Sequence, residues 1–213
     1  GIFAEFFVRS GIRVPGDPGA TARNLATSEG LFRAGIAGDL VMLLADVVVA
    51  LALYLLLREV SRGLALLATF FRLAHAAVYG ATLLTLWVPL VLLGGAPYLA
   101  VVSAPEREAL AQLLLESHGY GYALGLVFFG AHCLVLGYLV LRSGIVPRLL
   151  GGLLLVAGVG YLVDSFARTL LVDYAQVQPV LDLVVFVPAF VAELSFCLWL
   201  LLKGVRPLHP VAD

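Results

Sequence analysis

The sequence has 213 residues, of which 62% are hydrophobic and 13% charged, and its mean hydropathy is +1.05. These values lie far from the average of soluble domains and are typical of an integral membrane protein. The net charge of -1 provides no basic surface for nucleic acid. We therefore expect an all-α, polytopic transmembrane helix bundle that forms a single domain over residues 1–213.

The first predicted element is the end of an apolar helix. Residues 1–9, GIFAEFFVR, look like the last turns of a span that is truncated in this chain. Asp17 followed by Pro18 then favours a short helix toward Glu29, because Asp is a good N-cap and proline is tolerated in the first turn. We expect this helix, and a second one that begins after Ser103, to be interfacial helices on the outer side.

Five further apolar segments are long enough to cross a bilayer, and with the partial first helix they make about six spans. The five segments are residues 30–57, 63–94, 119–142, 148–172 and 179–203. Arginines lie in the short connections between the first and second and between the third and fourth of these segments, and Arg206 lies in the tail, 204–213. The positive-inside rule therefore predicts a cytoplasmic tail and C-terminus.

Glycines are concentrated in two of these spans. The span at 119–142 contains a GxxxG pattern at Gly121 and Gly125, and the span at 148–172 is also rich in glycine. Small residues let helix backbones approach closely in lipid. We expect these two helices to lie deep in the bundle.

Ionisable side chains inside the spans are the main functional clue. Each costs on the order of 2.5–3.5 kcal/mol to place at the centre of a bilayer, so we expect them to face the interior of the bundle. By helix rise most of them fall near the middle of the bilayer, and two aspartates lie toward its outer half. The predicted ligand-binding residues are Asp39, Asp46, Arg72, His75, His132, Asp164 and Glu193.

This polar layer contains more acids than bases, because its four carboxylates stand against Arg72 and Arg168. Protons, His⁺ or a cationic ligand must balance the difference. Pro188 is expected to kink the last helix beside Glu193 and to free a backbone carbonyl. We predict that the protein binds or transports a small cationic or protonatable ligand. Because six short spans make a small transporter, we also expect the chain to associate with a second copy as a homo-oligomer.

A second interpretation is a structural or accessory membrane protein whose buried charges only fix helix packing. In that case Arg72 pairs with Asp46 or Glu193, and the histidines donate to backbone carbonyls. Pairing of this kind needs no ligand.

A third interpretation is a membrane-embedded redox protein in which His75 and His132 hold a b-type haem. No other cofactor and no metal are expected, since His118 and His132 lie about 20 Å apart along one helix and cannot share an ion. The sequence contains no HExxH, GxSxG or P-loop pattern. We therefore favour a function that is not enzymatic and name no catalytic residue.

Six runs of the sequence resemble a known family. They are GIFAEFFVR, VPGD, GDLVMLLADVVVALALYLLL, YALGLVFFGAHCLVLGYL, GYLVDSF and AELSFCLWLLLKGV. These runs are similar to those of domain of unknown function 4386, a family of uncharacterised bacterial membrane proteins, and the resemblance covers essentially the whole chain. It implies a multi-pass protein in the bacterial cytoplasmic (inner) membrane, surrounded by lipid, and it implies no activity, cofactor or catalytic residue.

Overall fold

In the computed structural model of the chain, residues 9–203 are described, with Ser10 described by its backbone alone. Within this range all regular structure is helical and no strand is present. The prediction of an all-α fold is therefore confirmed. The predicted partial first span at 1–9, apart from Arg9, and the tail at 204–213 lie outside the described residues.

Two short segments between the described α-helices have a different helical geometry. A 3₁₀ turn at Pro97–Leu99 precedes the longest helix, and a π-helical turn at Asp182–Phe186 separates the last two helices. The α-helices are α1 (Ser10–Ile12), α2 (Pro18–Thr27), α3 (Glu29–Leu57), α4 (Arg62–Thr82), α5 (Leu84–Leu93), α6 (Ala104–Ser143), α7 (Arg148–Leu170), α8 (Tyr174–Leu181) and α9 (Val187–Lys203).

Five helical stretches are long and apolar enough to cross a membrane, judged by their length and composition. They are Glu29–Leu57, Arg62–Leu93, Ala104–Ser143, Arg148–Leu170 and Tyr174–Lys203. The ends of four of these stretches lie at most five residues from the ends of the predicted segments. The third stretch begins fifteen residues earlier than predicted, at Ala104 instead of residue 119.

The predicted short helix after Asp17 is present as α2. The Asp17 side chain accepts a hydrogen bond of 2.8 Å from the Ala20 backbone N–H, as an N-cap does. The capping interaction predicted after Ser103 also forms, because Glu106 Oε2 accepts from the Ser103 N–H at 2.9 Å and from the Ser103 hydroxyl at 2.6 Å. The helix that begins at Ala104 is, however, not a separate interfacial helix.

The segment after Ser103 runs directly into the span, so the predicted break at residue 119 is wrong. Gly119 and Gly121 lower helix propensity, but an apolar environment strongly favours a backbone that keeps its internal hydrogen bonds. Gly121 also has a packing reason, since a Cβ added there would lie 2.2 Å from a Thr82 side-chain carbon on α4. The polar-to-apolar change in composition therefore marks a change of environment within one helix.

The chain divides into two compact units. The first unit comprises Gly1–Val48 and Ala76–Leu124, and the second comprises Val49–His75 and Gly125–Asp213. Each unit has its own buried apolar core, with Phe32, Ile36 and Leu86 in the first and Leu139, Val140 and Leu154 in the second. The single domain over 1–213 stays a prediction.

Two pairs of glycines bring α6 and α7 together in the second unit. A Cβ added to Gly137 would lie 2.7 Å from the Gly151 carbonyl oxygen, and one added to Gly158 would lie 2.8 Å from the Gly130 carbonyl oxygen. The added Cβ atoms at Gly151 and Gly130 would meet the partner carbonyls in return, at 2.9 and 3.0 Å. The two glycine-rich helices thus approach each other closely through backbone atoms, and their predicted position deep in the bundle stays a prediction.

We expect Gly151→Ala to destabilise the protein by roughly 1–3 kcal/mol, because its Cβ would overlap backbone atoms of α6 that cannot move independently. Gly152→Ala is the matched control, since a Cβ at this neighbouring position meets nothing within 4 Å. Thermal unfolding of both variants in detergent measures the difference. A Gly151→Ala variant as stable as Gly152→Ala would show that the glycine contact does not hold α6 and α7 together.

Candidate functional site

Three of the predicted ligand-binding residues lie around one aromatic ring, that of Phe129 on α6, in the second unit, and a fourth is linked to the ring through a tyrosine. His75 and His132 contact this ring at centroid distances of 4.9 and 5.6 Å. The guanidinium carbon of Arg72 lies 5.4 Å from the ring centroid, and Tyr161 on α7 meets the ring edge-on at 5.7 Å. Glu193 joins the group through Tyr161. We call these six residues the Phe129 cluster: Arg72, His75, Phe129, His132, Tyr161 and Glu193.

Both histidines of the cluster bond to backbone carbonyls. His75 Nδ1 lies 3.0 Å from the Gly125 carbonyl oxygen, and His132 Nδ1 lies 2.8 Å from the Ala68 carbonyl oxygen. A carbonyl oxygen only accepts, so in each ring Nδ1 carries the proton. His132 Nε2 lies 3.2 Å from Arg72 Nη1, which only donates, so His132 is a neutral imidazole with both nitrogens engaged.

The two histidines are poorly arranged for a haem. An axial ligand needs a ring nitrogen that faces the iron, and Nε2 of His132 instead accepts from Arg72. The Phe129 ring also contacts both imidazoles. Among residues 9–203 no group of three or more His, Cys, Asp or Glu side chains is arranged to hold a metal ion. The geometry therefore gives the haem interpretation no support.

Glu193 is the carboxylate of the cluster. It is partly buried on α9, and its Oε1 accepts a hydrogen bond of 2.5 Å from the Tyr161 hydroxyl. A phenol hydroxyl donates to a carboxyl oxygen and adds no charge of its own. The hydroxyl therefore gives Glu193 a neutral donor in an apolar segment of the protein.

The last span is irregular just before Glu193. Its π turn at Asp182–Phe186 ends two residues before Pro188, so the predicted break near this proline is present as a π turn. The turn packs against α7, because a Cβ added to Gly160 would lie 3.0 Å from Val185 and the Phe186 ring lies 6.0 Å from that of Tyr161. The π turn thus contacts Tyr161, the residue whose hydroxyl donates to Glu193.

Asp164 belongs to a separate polar group in the second unit. Its side chain is almost fully buried, and its Oδ1 accepts a hydrogen bond of 2.6 Å from the Tyr174 hydroxyl. The Tyr174 oxygen in turn accepts from Arg168 Nη2 at 3.1 Å. Within the described part of the chain Asp164 and Arg168 form no direct ion pair, and Tyr174 bridges these two residues, which lie one helical turn apart.

Asp39 and Asp46 lie in the first unit. Asp39 is fully buried, its Oδ2 accepts from Arg9 Nη1 at 2.6 Å, and Tyr79 lies close enough to interact with its carboxylate. Asp46 lies two turns further along α3 and is 8% exposed. The expectation that both aspartates face the interior is confirmed, whereas ligand binding by either one stays a prediction.

Tyrosine hydroxyls are the site groups that the sequence analysis missed. Two predicted carboxylates accept from a tyrosine hydroxyl, Glu193 from Tyr161 and Asp164 from Tyr174, and Tyr79 lies beside a third, Asp39. Two of these tyrosines occur in the middle of apolar spans, away from the interfacial belts where tyrosine is usually enriched in membrane proteins. That unusual position was a usable indication in the sequence.

We expect Tyr174→Phe to lower stability by roughly 1–3 kcal/mol, because the buried Asp164 carboxylate loses its hydroxyl donor. Tyr120→Phe is the control, since it makes the same change at a tyrosine that is 66% exposed. Chemical or thermal unfolding in detergent compares them. The bridging role of Tyr174 would be refuted by a Tyr174→Phe variant that unfolds together with Tyr120→Phe and the parent.

Similarities to known proteins supply a family and no activity. A family model described as "Domain of unknown function (DUF4386)" matches residues 1–204. A protein of Archaeoglobus fulgidus, described as an uncharacterized protein, is 31% identical over 178 residues, which are 84% of this chain and 88% of that protein. No solved structure matches the chain. The function must therefore be argued from the geometry of the described residues.

Proposed function

The chain belongs to the DUF4386 family, a domain of unknown function. From the geometry of the Phe129 cluster we propose that it is a multi-pass membrane protein that binds or transports a small cationic or protonatable ligand. The single observation that carries the proposal is the placement of Glu193, hydrogen-bonded to Tyr161 and next to a π turn in an apolar span. Carboxylates in such spans are rare and are usually functional.

Under this proposal the cluster takes up a positive charge besides that of its own arginine. Glu193 supplies the negative charge, and the faces of Phe129 and Tyr161 attract cations through their quadrupoles. Arg72 already lies over the Phe129 ring and donates to the neutral His132. These two contacts hold the guanidinium in place when a ligand cation or a proton occupies Glu193, so the cluster can take up one positive charge without expelling Arg72.

The π turn supports a site that changes its geometry. π turns interrupt the regular hydrogen-bond register of a helix and are frequent at functional sites. Here the turn contacts Tyr161 through Phe186 and lies on the same span as Glu193. A shift between π and α geometry would rotate Glu193 relative to Tyr161, which is the motion that uptake and release of a ligand require.

The proposal includes a bacterial cytoplasmic membrane, with the C-terminus in the cytoplasm and lipid around the spans. The arginines of the two short connections in the second unit are exposed, as cytoplasmic loops require: Arg58, Arg62, Arg142 and Arg148. Large apolar side chains on α3, such as Val41 and Leu44, are 66% and 71% exposed and suit contact with acyl chains. A homo-oligomer remains part of the proposal.

A structural or accessory role is the second candidate. It is favoured by the bonds of His75 and His132 to backbone carbonyls of neighbouring helices, which fix helix packing without any ligand. In that case Glu193 and Tyr161 form one more packing contact. The two candidates differ in whether Glu193 serves anything outside the chain.

The test is mass spectrometry of small molecules that copurify with the parent protein, Glu193→Gln and Glu59→Gln. Glu59→Gln is the matched control, because it makes the same change in the same unit at a carboxylate that is 63% exposed. We expect a cationic or amine species to be enriched in the parent and in Glu59→Gln, and to be reduced at least tenfold in Glu193→Gln. The same species should raise the unfolding temperature of the parent in proportion to its concentration.

An equal set of copurifying molecules in all three folded proteins would count against ligand binding and would favour the accessory role. A Glu193→Gln protein that loses stability, while its small-molecule content matches that of Glu59→Gln, would show that Glu193 serves packing alone. Circular dichroism of each sample establishes that the proteins compared are folded.

A further inference from the structure

Polar side chains follow one face of α7 in the second unit, within a largely apolar span. Four of them are three or four residues apart, which places them on one side of the helix, and we call them the α7 row: Tyr161, Asp164, Ser165 and Arg168. The first three are at most 7% exposed, whereas Val163 and Phe166 on other sides of α7 are exposed. The row therefore faces the interior of the unit.

The row extends from Glu193 to one end of α7. Its first residue, Tyr161, donates to Glu193, and helix rise places Arg168 about 10 Å further along the axis. At that end both Asp164 and Arg168 are hydrogen-bonded to Tyr174. Tyr174 is half-buried and directly follows residues 171–173, which are exposed. The row thus leads from the carboxylate of the Phe129 cluster toward the surface of the unit.

The hydroxyl of Ser165 has no hydrogen-bond partner among residues 9–203, although its residue is only 1% exposed. A serine or threonine inside a helix can donate to the carbonyl four residues earlier. Thr69, Ser117 and Thr169 make this bond, at 2.7 to 2.9 Å. Because a buried polar group without a partner costs free energy, we expect the Ser165 hydroxyl to bond a molecule that is not part of the chain.

Arg168 brings a second buried atom of this kind to the row. Its Nη2 donates to the Tyr174 hydroxyl at 3.1 Å, and its guanidinium carbon lies 4.5 Å from the centroid of the Tyr174 ring. Its Nε is buried and has no hydrogen-bond partner in the described part of the chain. Ser165 and Arg168 are three residues apart and are therefore neighbours on the helix surface. Together they offer a water molecule one donor and one hydroxyl that donates or accepts.

The π turn of the last span lies along the row. Its first residue, Asp182, is close enough to Asp164 and Arg168 to interact electrostatically with both. Its last residue, Phe186, has its ring 6.0 Å from that of Tyr161. The segment that packs over the row is thus an irregular helical turn, and turns of this kind are frequent at functional sites.

We propose that the α7 row is a water-containing access path through which a small cation reaches Glu193. The inference rests on the proposed function, in which Glu193 binds that cation. Ionisable residues inside spans commonly line water-filled cavities, and water held by Ser165 and Arg168 keeps a cation hydrated along an otherwise apolar helix. Asp164 and Asp182 supply negative charge where the path begins. Under the proposed orientation of the chain, this end of α7 is on the outer side.

The test is labelling of Ser165→Cys in lipid nanodiscs with aminoethyl methanethiosulfonate, a small water-soluble reagent that carries an ammonium group. The thiolate is the reactive form, and burial in apolar surroundings keeps a thiol protonated and inert. We expect Ser165→Cys to react about tenfold or more faster than Ala157→Cys. Ala157 is the matched control, because it is also 1% exposed and lies on α7 one turn beyond Tyr161. Peptide mass spectrometry separates the introduced thiol from the native Cys133 and Cys197.

The negatively charged sulfonatoethyl methanethiosulfonate tests whether the path prefers cations. Val172→Cys gives the rate of each reagent at an open surface, since Val172 is 100% exposed. After division by that rate, the ammonium reagent should modify Ser165→Cys faster than the sulfonate reagent does. The substitution replaces one oxygen by sulfur, so the fold is retained, and circular dichroism verifies this for each variant.

A Ser165→Cys protein that reacts no faster than Ala157→Cys overturns the access path. Equal normalised rates for the two reagents overturn its preference for a cation. The labelling uses no ligand, so its failure is distinct from failure of the proposed function, which the comparison of Glu193→Gln with Glu59→Gln decides.

Discussion

The contact of α6 with α7 through bare glycine backbone is the constraint on which the geometry of the second unit depends. Phe129 directly precedes Gly130, and Tyr161 follows three residues after Gly158, the partner of Gly130. Because no side chain separates the helices at this crossing, the two aromatic rings meet 5.7 Å apart. A Cβ at either glycine would part the helices and draw Tyr161 away from Phe129. The site is thus a consequence of helix packing that only glycine permits.

The same physical requirement explains why a tyrosine accompanies three of the predicted carboxylates. A buried carboxylate needs donors, and in an apolar interior a phenol supplies one without a second charge that must itself be buried. Asp39 differs from the others, because Arg9 binds it at 2.6 Å while Tyr79 lies beside it. This arginine neutralises Asp39, which suits the aspartate to holding the first unit together rather than to binding a cation.

The sequence predicted the fold well because span length, apolar composition and glycine content are local properties. It misplaced the start of α6, since a change from polar to apolar residues does not interrupt backbone hydrogen bonds. Hydrogen-bond partners were harder to predict. Tyr174 belongs to α8, and the turn after α7 places it between Asp164 and Arg168 of α7.

The structure also changes the charge balance on which the functional hypothesis began. The sequence set the carboxylates Asp39, Asp46, Asp164 and Glu193 against two arginines, an excess of two negative charges. Arg9 was assigned to the end of another helix, yet it binds Asp39, so that aspartate has a counter-charge within the first unit. His132 is neutral by its hydrogen bonds and adds no positive charge to the second unit. Within the Phe129 cluster, Arg72 and Glu193 contribute one charge of each sign, so the proposed cation site depends on the placement of Glu193 and not on an excess of carboxylates.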